Sequence, residues 1–311
     1  MSAERPLAGD LAREPRPRVV QLFPTCLVNE LVPEVGRAAV ELLERAGVAV
    51  ELPAGLACCG QPAWNAGFVA EAKAVARGTI ERLAATQGPI VVPSGSCGDM
   101  LVHQMLELFR DEPRLAATAR VVASRVVELT QFLAAVAGTF HLAAVPGSFR
   151  PAVSRGADAG VDGNSPAPGE TGTSPPPGRT RVAYHPSCHL VRGLGVGGEP
   201  VELLRRVAGV ELVPLEKSEE CCGFGGLFSV KQPELSGAML DAKCRALEAS
   251  GADVVASCDS GCLLHLAGGL ARRGSSIRTC HVAELLAAAL PSAPPPLSQA
   301  PASPPAAAPP P

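Results

Sequence analysis

Short apolar runs rich in β-branched residues recur along this chain: "RVVQLF" near residue 20, "VAVEL" near 50, "PIVVP" near 90, "RVAYH" near 183, "VELVPL" near 212 and "ADVVAS" near 254. Between them lie longer stretches whose apolar positions fall every three or four residues, as in "VELLERAG" and "VELLRRVAG". The first pattern predicts strands and the second amphipathic helices. Strands that alternate with helices predict an α/β fold, with a mainly parallel sheet covered by helices.

The pattern is written twice. "LFPTCLV" at 22–28 answers "YHPSCHL" at 184–190, and "VELLERAGVAVELPAGLACCG" at 40–60 answers "VELLRRVAGVELVPLEKSEECCG" at 201–223. "AATQGPIVVPSGSC", ending at Cys97, answers "EASGADVVASCDSGC", ending at Cys262. Offsets of 162, 163 and 165 residues separate the matched cysteines, so the register drifts by only three. Such self-similarity marks a tandem duplication, with small insertions in loops. Each copy reads as strand, cysteine loop, "VELL" helix, strand, CCG loop, helix and third strand. Every repeated cysteine follows a strand end, where open parallel sheets gather their sites.

Five segments follow: a flexible N-terminus at 1–17, a first domain at 18–145, a linker at 146–180, a second domain at 181–290 and a tail at 291–311. Linker and tail are rich in Pro, Gly, Ser and Ala and have too little to bury to repay ordering, so both are expected to be disordered.

Composition narrows the function. A net charge of −3, with no Lys/Arg run interleaved with aromatics, predicts no nucleic-acid partner. No stretch approaches the roughly 18 uninterrupted apolar residues of a membrane span. The opening "MSAERPLAGDLAREPRPR" lacks the apolar core of an export signal, so the expected location is cytoplasmic. In a reducing compartment eleven cysteines point to metal or redox chemistry rather than to disulfides.

Eight of the eleven belong to the duplicated pattern: Cys26, Cys58, Cys59 and Cys97 in the first copy, and Cys188, Cys221, Cys222 and Cys262 in the second. These are the candidate cofactor and metal ligands, and no catalytic residue is assigned. Zinc sites commonly use four cysteines, but they pair them a few residues apart. Directly adjacent thiols point apart, which suits a multi-iron cluster whose separate irons each take one. The glycines after each pair let backbone N–H groups approach sulfur. A phosphate-binding reading of "GFGG" lacks both dinucleotide and P-loop spacing. Cys258 and His265 are two further candidate ligands, while Cys244 and Cys280 are assigned to packing. Four of six histidines fall in the second copy, which predicts that the halves differ in potential or proton coupling.

With "CCGQPAWNAG", "PSGSC", "SCH", "CCGFGGLFSVK" and "GCLLHLAGG" the chain resembles the lactate-utilisation protein A family, built from two cysteine-rich CCG domains. It is similar more distantly to the cysteine-rich subunit of heterodisulfide reductase and to the iron-sulfur subunit of glycolate oxidase. The resemblance covers about 18–145 and 180–290. It implies a cytoplasmic iron-sulfur electron-transfer subunit working beside companion subunits, including a ferredoxin-like iron-sulfur protein, in oxidising L-lactate to pyruvate. On this reading the chain is an oxidoreductase subunit rather than a complete enzyme. The heterodisulfide reductase relatives end each domain in CxxC and hold a noncubane cluster on five cysteines. Here Met100 and His265 stand at those third positions, and four thiolates per half suit an ordinary 4Fe-4S cluster, one per domain. Three other readings stay open: a heterodisulfide or thiol-disulfide reductase subunit, the iron-sulfur subunit of a glycolate-type 2-hydroxyacid oxidase, and a zinc-bearing assembly module.

Overall fold

The computed structural model describes residues 17–136, 142–146, 149–152 and 179–291. The expected flexible N-terminus up to 16, the linker over 153–178 and the tail from 292 lie outside them.

Two four-stranded sheets, all parallel, repeat one topology. In the first half β1 (Val19–Leu22), β2 (Ala49–Glu51), β3 (Ile90–Val92) and β4 (Val126–Glu128) stand in the order β2-β1-β3-β4. The second half repeats this as β6-β5-β7-β8, from β5 (Thr180–Tyr184), β6 (Val210–Val213), β7 (Val254–Ser257) and β8 (Arg278–His281). The chain leaves the central strand to one side and returns on the other. Each sheet therefore has a switch point between its two middle strands, where a crevice opens at their carboxyl ends.

The duplicated helices form as their spacing predicts. After α1 (Cys26–Leu31), α2 (Pro33–Arg45) starts with proline at its first turn and buries Val35, Ala38, Ala39, Leu42 and Leu43 along one stripe. The CCG loop leads into α3 (Gln61–Asn65) and α4 (Val69–Ala84). Beyond β3, α5 (Gly95–Asp99) runs into a π-helical turn, Met100–Gln104. α6 (Pro113–Ala123) and α7 (Leu129–Ala135) flank β4. The second half contributes α8 (Glu199–Arg205), α9 (Pro233–Ser250), α10 (Ser260–Arg272) and α11 (Val282–Ala288).

The fourth strand of each half, β4 and β8, goes beyond the three expected per copy. Both are short and run without a turn into a helix that their last residue caps. Glu128 Oε2 accepts from Thr130 N at 2.7 Å, and His281 Nδ1 accepts from Ala283 N at 3.1 Å. With no Gly or Pro between strand and helix, neither is punctuated in the sequence. Cys280 lies on β8 and so precedes α11, the helix that starts at Val282.

The halves pack reciprocally: α11 lies on α2, and its counterpart α7 lies on α8. One hydrophobic cluster runs through both, including Phe23, Leu42, Phe132, Leu190, Leu204 and Leu286. The start of the expected linker belongs to this packing. Arg278 Nη1 donates to Phe149 O at 3.2 Å, Ala152 N donates to Glu284 Oε1 at 2.7 Å, and Phe149 rests on the shared core. Phe149 carries the apolar area that the rest of that segment lacks. Among the described residues no helix is long and apolar enough to cross a membrane.

Candidate functional site

The cysteine loops are placed by the switch-point geometry. Cys26 and Cys97 follow β1 and β3, the middle strands of the first sheet, and the CCG loop follows β2. Cys188, Cys262 and Cys221–Cys222 repeat the arrangement on β5, β7 and β6. All eight candidate cysteines line a single cavity of about 210 Å³ between the halves, a convergence on one shared space that the repeat pattern does not reveal.

Within each half the thiols pair. Cys26 Sγ donates to Cys58 Sγ at 3.5 Å, Cys59 to Cys97 at 3.4 Å and Cys222 to Cys262 at 3.2 Å. These separations far exceed a disulfide bond of about 2.05 Å, and every cysteine is free. The hydrogen bond from Cys26, followed by that from Cys59, holds the Cys58 thiol down to about 3. Hydrogen bonds from Cys188 and then Cys222 hold Cys221 down to about 2. Their donors shift the other way: Cys26 and Cys188 are raised by the bonds they make, with burial adding to the effect. The hydrogen bonds thus favour the thiolate at the first cysteine of each CCG motif, the form that binds metal or attacks an electrophile.

The CCG glycines hold these loops in a shape other residues resist. Gly60 and Gly223 have φ of 88° and 89°. Their N–H groups point back at sulfur, Gly60 N to Cys58 Sγ at 3.4 Å and Gly223 N to Cys221 Sγ at 3.3 Å. Positive φ favours glycine, and the N–H···S bonds are what the glycine pattern anticipates.

Ser94, Asp99 and Asp259 are not singled out by the sequence, whereas His185 and His189 are the two second-copy histidines that flank Cys188, expected as hydrogen-bonded neighbours or surface residues rather than ligands. Ser94 caps α5 and Asp259 caps α10, at equal distances before Cys97 and Cys262. The two caps meet: Asp259 Oδ2 accepts from Ser94 Oγ at 3.2 Å and Ser96 N at 2.9 Å, while Oδ1 accepts from Gly261 N at 3.1 Å. A second bridge joins the halves where His189 Nδ1 lies 2.6 Å from Asp99 Oδ2. This contact raises the His189 pKa. His185, 1% exposed, sits with Cys222 and Cys262 so that their ligand atoms lie within 4.8 Å of one another. Neither of its ring nitrogens meets a partner at hydrogen-bond geometry, although the Ser218 carbonyl faces the ring and favours its protonated form. Burial lowers His185 to about 4, so the ring is neutral. Equal register before the last cysteine of each repeat is the signal that could have found Ser94 and Asp259.

The two further candidates are not brought to the cavity. Cys258 is fully buried, with Tyr184 Oη 3.9 Å from its sulfur. His265 Nε2 lies 3.3 Å from Ser236 Oγ, and its ring stacks at a tilt 5.8 Å from Phe224. Cys244, on α9, and Cys280 are buried in the core, as the packing assignment expects.

A pair of parallel-sheet units that present thiols from three loops each defines a class of duplicated cysteine-rich proteins. The cysteine-rich domain family CCG matches this chain twice, over residues 20–102 and 182–267. "Lactate utilization protein A" of Geobacillus kaustophilus (strain HTA426) is 40% identical over 267 residues, 86% of this chain and 98% of that protein. The proteins of the same name from Bacillus licheniformis and Bacillus subtilis (strain 168) are 39% and 37% identical over the same length and shares. The chain belongs to the lactate utilization protein A family.

Proposed function

We propose that this protein is the iron-sulfur electron-transfer subunit of an L-lactate-oxidising system, with one 4Fe-4S cluster in each half. The observation that carries the reading is the convergence of two four-thiol sets, each from three loops, on one cavity. The donors fit the group: they are soft and free, and a histidine with open ring nitrogens stands behind the second set. Cys26, Cys58, Cys59 and Cys97 would hold one cluster, and Cys188, Cys221, Cys222 and Cys262 the other. Such clusters, when bound, take up and release single electrons. The chain's own part is to supply thiolates, to aim Gly60 and Gly223 N–H groups at sulfur, and to keep bulk water out with the buried caps Ser94 and Asp259.

Oxidation of lactate to pyruvate releases two electrons and two protons. The described residues hold no nicotinamide or flavin fingerprint for that step, so companion subunits, including a ferredoxin-like iron-sulfur protein, supply it in the cytoplasm. The names of the relatives support lactate as the fuel. The test is iron and acid-labile sulfide after anaerobic reconstitution, with the spectrum of the reduced protein. Cys221→Ser and Cys222→Ser should each lose or distort the second cluster, because serine is a harder and poorer ligand. Cys244→Ser and Cys280→Ser should leave it unchanged. Colourless protein holding zinc would refute the reading.

The thiolates at Cys58 and Cys221 favour a second reading, a thiol-disulfide reductase subunit. There one of these sulfurs attacks a substrate disulfide, forming a mixed disulfide and expelling the other sulfur as thiolate. It predicts that Cys221→Ser keeps its iron and loses only turnover.

A further inference from the structure

The two halves match in their cysteines and differ in what stands behind them. Directly before the Pro-Thr/Ser-Cys motif the first half has Phe23 and the second has His185. On the helix after each CCG loop, the residue that reaches back to the loop backbone also differs. Thr79 Oγ1 donates to Cys58 O at 3.0 Å, whereas Lys243 Nζ donates to Lys217 O at 2.6 Å and Ser218 O at 3.1 Å. The positions correspond, since Gly60 approaches Ala72 O as Gly223 approaches Ser236 O, at the same spacing before Thr79 and Lys243.

Lys243 is 3% exposed, and both its hydrogen-bond partners are neutral carbonyls. The acidic groups that feel its charge are Glu220, which is exposed, and the thiols of Cys222, Cys221 and Cys262. Among the described residues, the buried cation beside the second thiol set has no equivalent beside the first. Added positive charge, or an N–H aimed at sulfur, stabilises the reduced and more negative state of an iron-sulfur centre. The field acts at low dielectric, where it is screened little. Two charges oppose it: Glu220, which is exposed and so screened by solvent, and Asp259, which acts on Cys188 and Cys262. The Asp259 carboxylate, however, is met by four donors drawn from both halves, Ser94 Oγ, Ser96 N, Gly261 N and Cys262 N, which offset its charge locally.

Resting on the iron-sulfur reading, we infer that Lys243 and His185 set the second half at a higher reduction potential than the first, so that electrons entering the chain collect on the Cys188–Cys262 side.

The test is a potentiometric titration of the full reconstituted chain, followed by electron paramagnetic resonance, on samples whose iron and sulfide have been measured first. Two waves are expected, separated by at least tenfold in the one-electron equilibrium, or about 59 mV. The upper wave should vanish in Cys188→Ser. Lys243→Gln should lower the upper wave by at least tenfold and leave the lower one in place, and Lys243→Arg should restore it. His185→Phe, which installs the residue of the first half in similar volume, should lower the same wave, and it decides the matter if Lys243→Gln fails to load. Iron in both halves with a single common wave, an upper wave that vanishes in Cys26→Ser instead, or an upper wave unmoved by the loadable variants would overturn this inference alone. Absence of iron from both halves would overturn the functional reading and this inference with it.

Discussion

Replacing Gly223 by alanine tests whether the CCG loop is held by steric necessity. At φ of 89° an added Cβ meets two costs. The left-handed backbone alone costs a non-glycine residue about 1–2 kcal/mol. The new atom would also lie 2.7 Å from Ser236 O and 3.0 Å from Met239 Cβ. Ser236 O is backbone within α9, and Ser236 Oγ donates to Gly223 O at 2.8 Å, so neither side can yield without breaking a bond. Overpacking of this kind adds about 1–3 kcal/mol, for a total of about 2–5. Gly67 separates the two costs: its φ is 83°, and nothing lies within 4 Å of its added Cβ. Gly67→Ala should therefore show the strain alone. Urea unfolding of metal-free protein by circular dichroism, at constant m-value, measures both. Because Gly223 N also donates to Cys221 Sγ, a shifted loop should reduce iron uptake by the second half and spare the first. If Gly223→Ala proves no more costly than Gly67→Ala, the close approach to α9 is not what holds the loop.

Two other outcomes follow from the seam between the halves. Asp259→Ala strips the acceptor from Ser94 Oγ, Ser96 N and Gly261 N and should destabilise the chain by about 3 kcal/mol or more, since bonds to a charged group are worth about 1.5–3 kcal/mol each; a loss below about 1 kcal/mol in urea would show that the caps meet without consequence. Burial lowers His281 to about 4 from the usual 6.5, so its stabilising neutral form is fully present above pH 6.5, and stability falls as pH drops toward 4, by about 1.4 kcal/mol per unit. His281→Asn keeps a capping acceptor without the titration, so between pH 7 and 5 it should lose about 2 kcal/mol less than the unmodified chain; equal losses would place the acid sensitivity elsewhere.

The repeat makes the site legible before any coordinate does. Thiols that recur at offsets of 162 to 165 residues after strand ends can only gather at sheet edges, and they do. The parallel order of the strands is legible for the same reason, since helices alternate with them. What stays hidden depends on the seam. No local pattern says that two sheets will turn their cysteine edges toward one cavity, because that follows from α11 seating on α2 and α7 on α8, contacts between helices far apart in the chain. Asp259 escapes notice because an acidic residue before a helix is an ordinary cap; only the approach of the other half makes it a bridge. β4 and β8 escape it because their three or four residues carry no turn signal of their own.

The contact between Ser94 and Asp259 also bears on why both halves are joined in one chain. Reciprocal packing is the arrangement of a symmetric dimer, in which a residue near the axis faces its own copy. Ser94 and Asp259 occupy equivalent places and face each other at 3.2 Å. In a true homodimer that place would hold two carboxylates, which repel, or two serines, neither of which offers a charged acceptor to Ser96 N across the seam. Fusion lifts this restriction. Once the copies share a chain, one can mutate without the other, and a donor can be set against an acceptor on the axis. The same freedom lets Phe23 differ from His185 and Thr79 from Lys243 while the eight cysteines remain alike. A symmetric pair of clusters in equal surroundings would have no preferred direction for an electron. Duplication followed by fusion is the route by which one fold presents two matched thiol sets in unequal electrostatic settings.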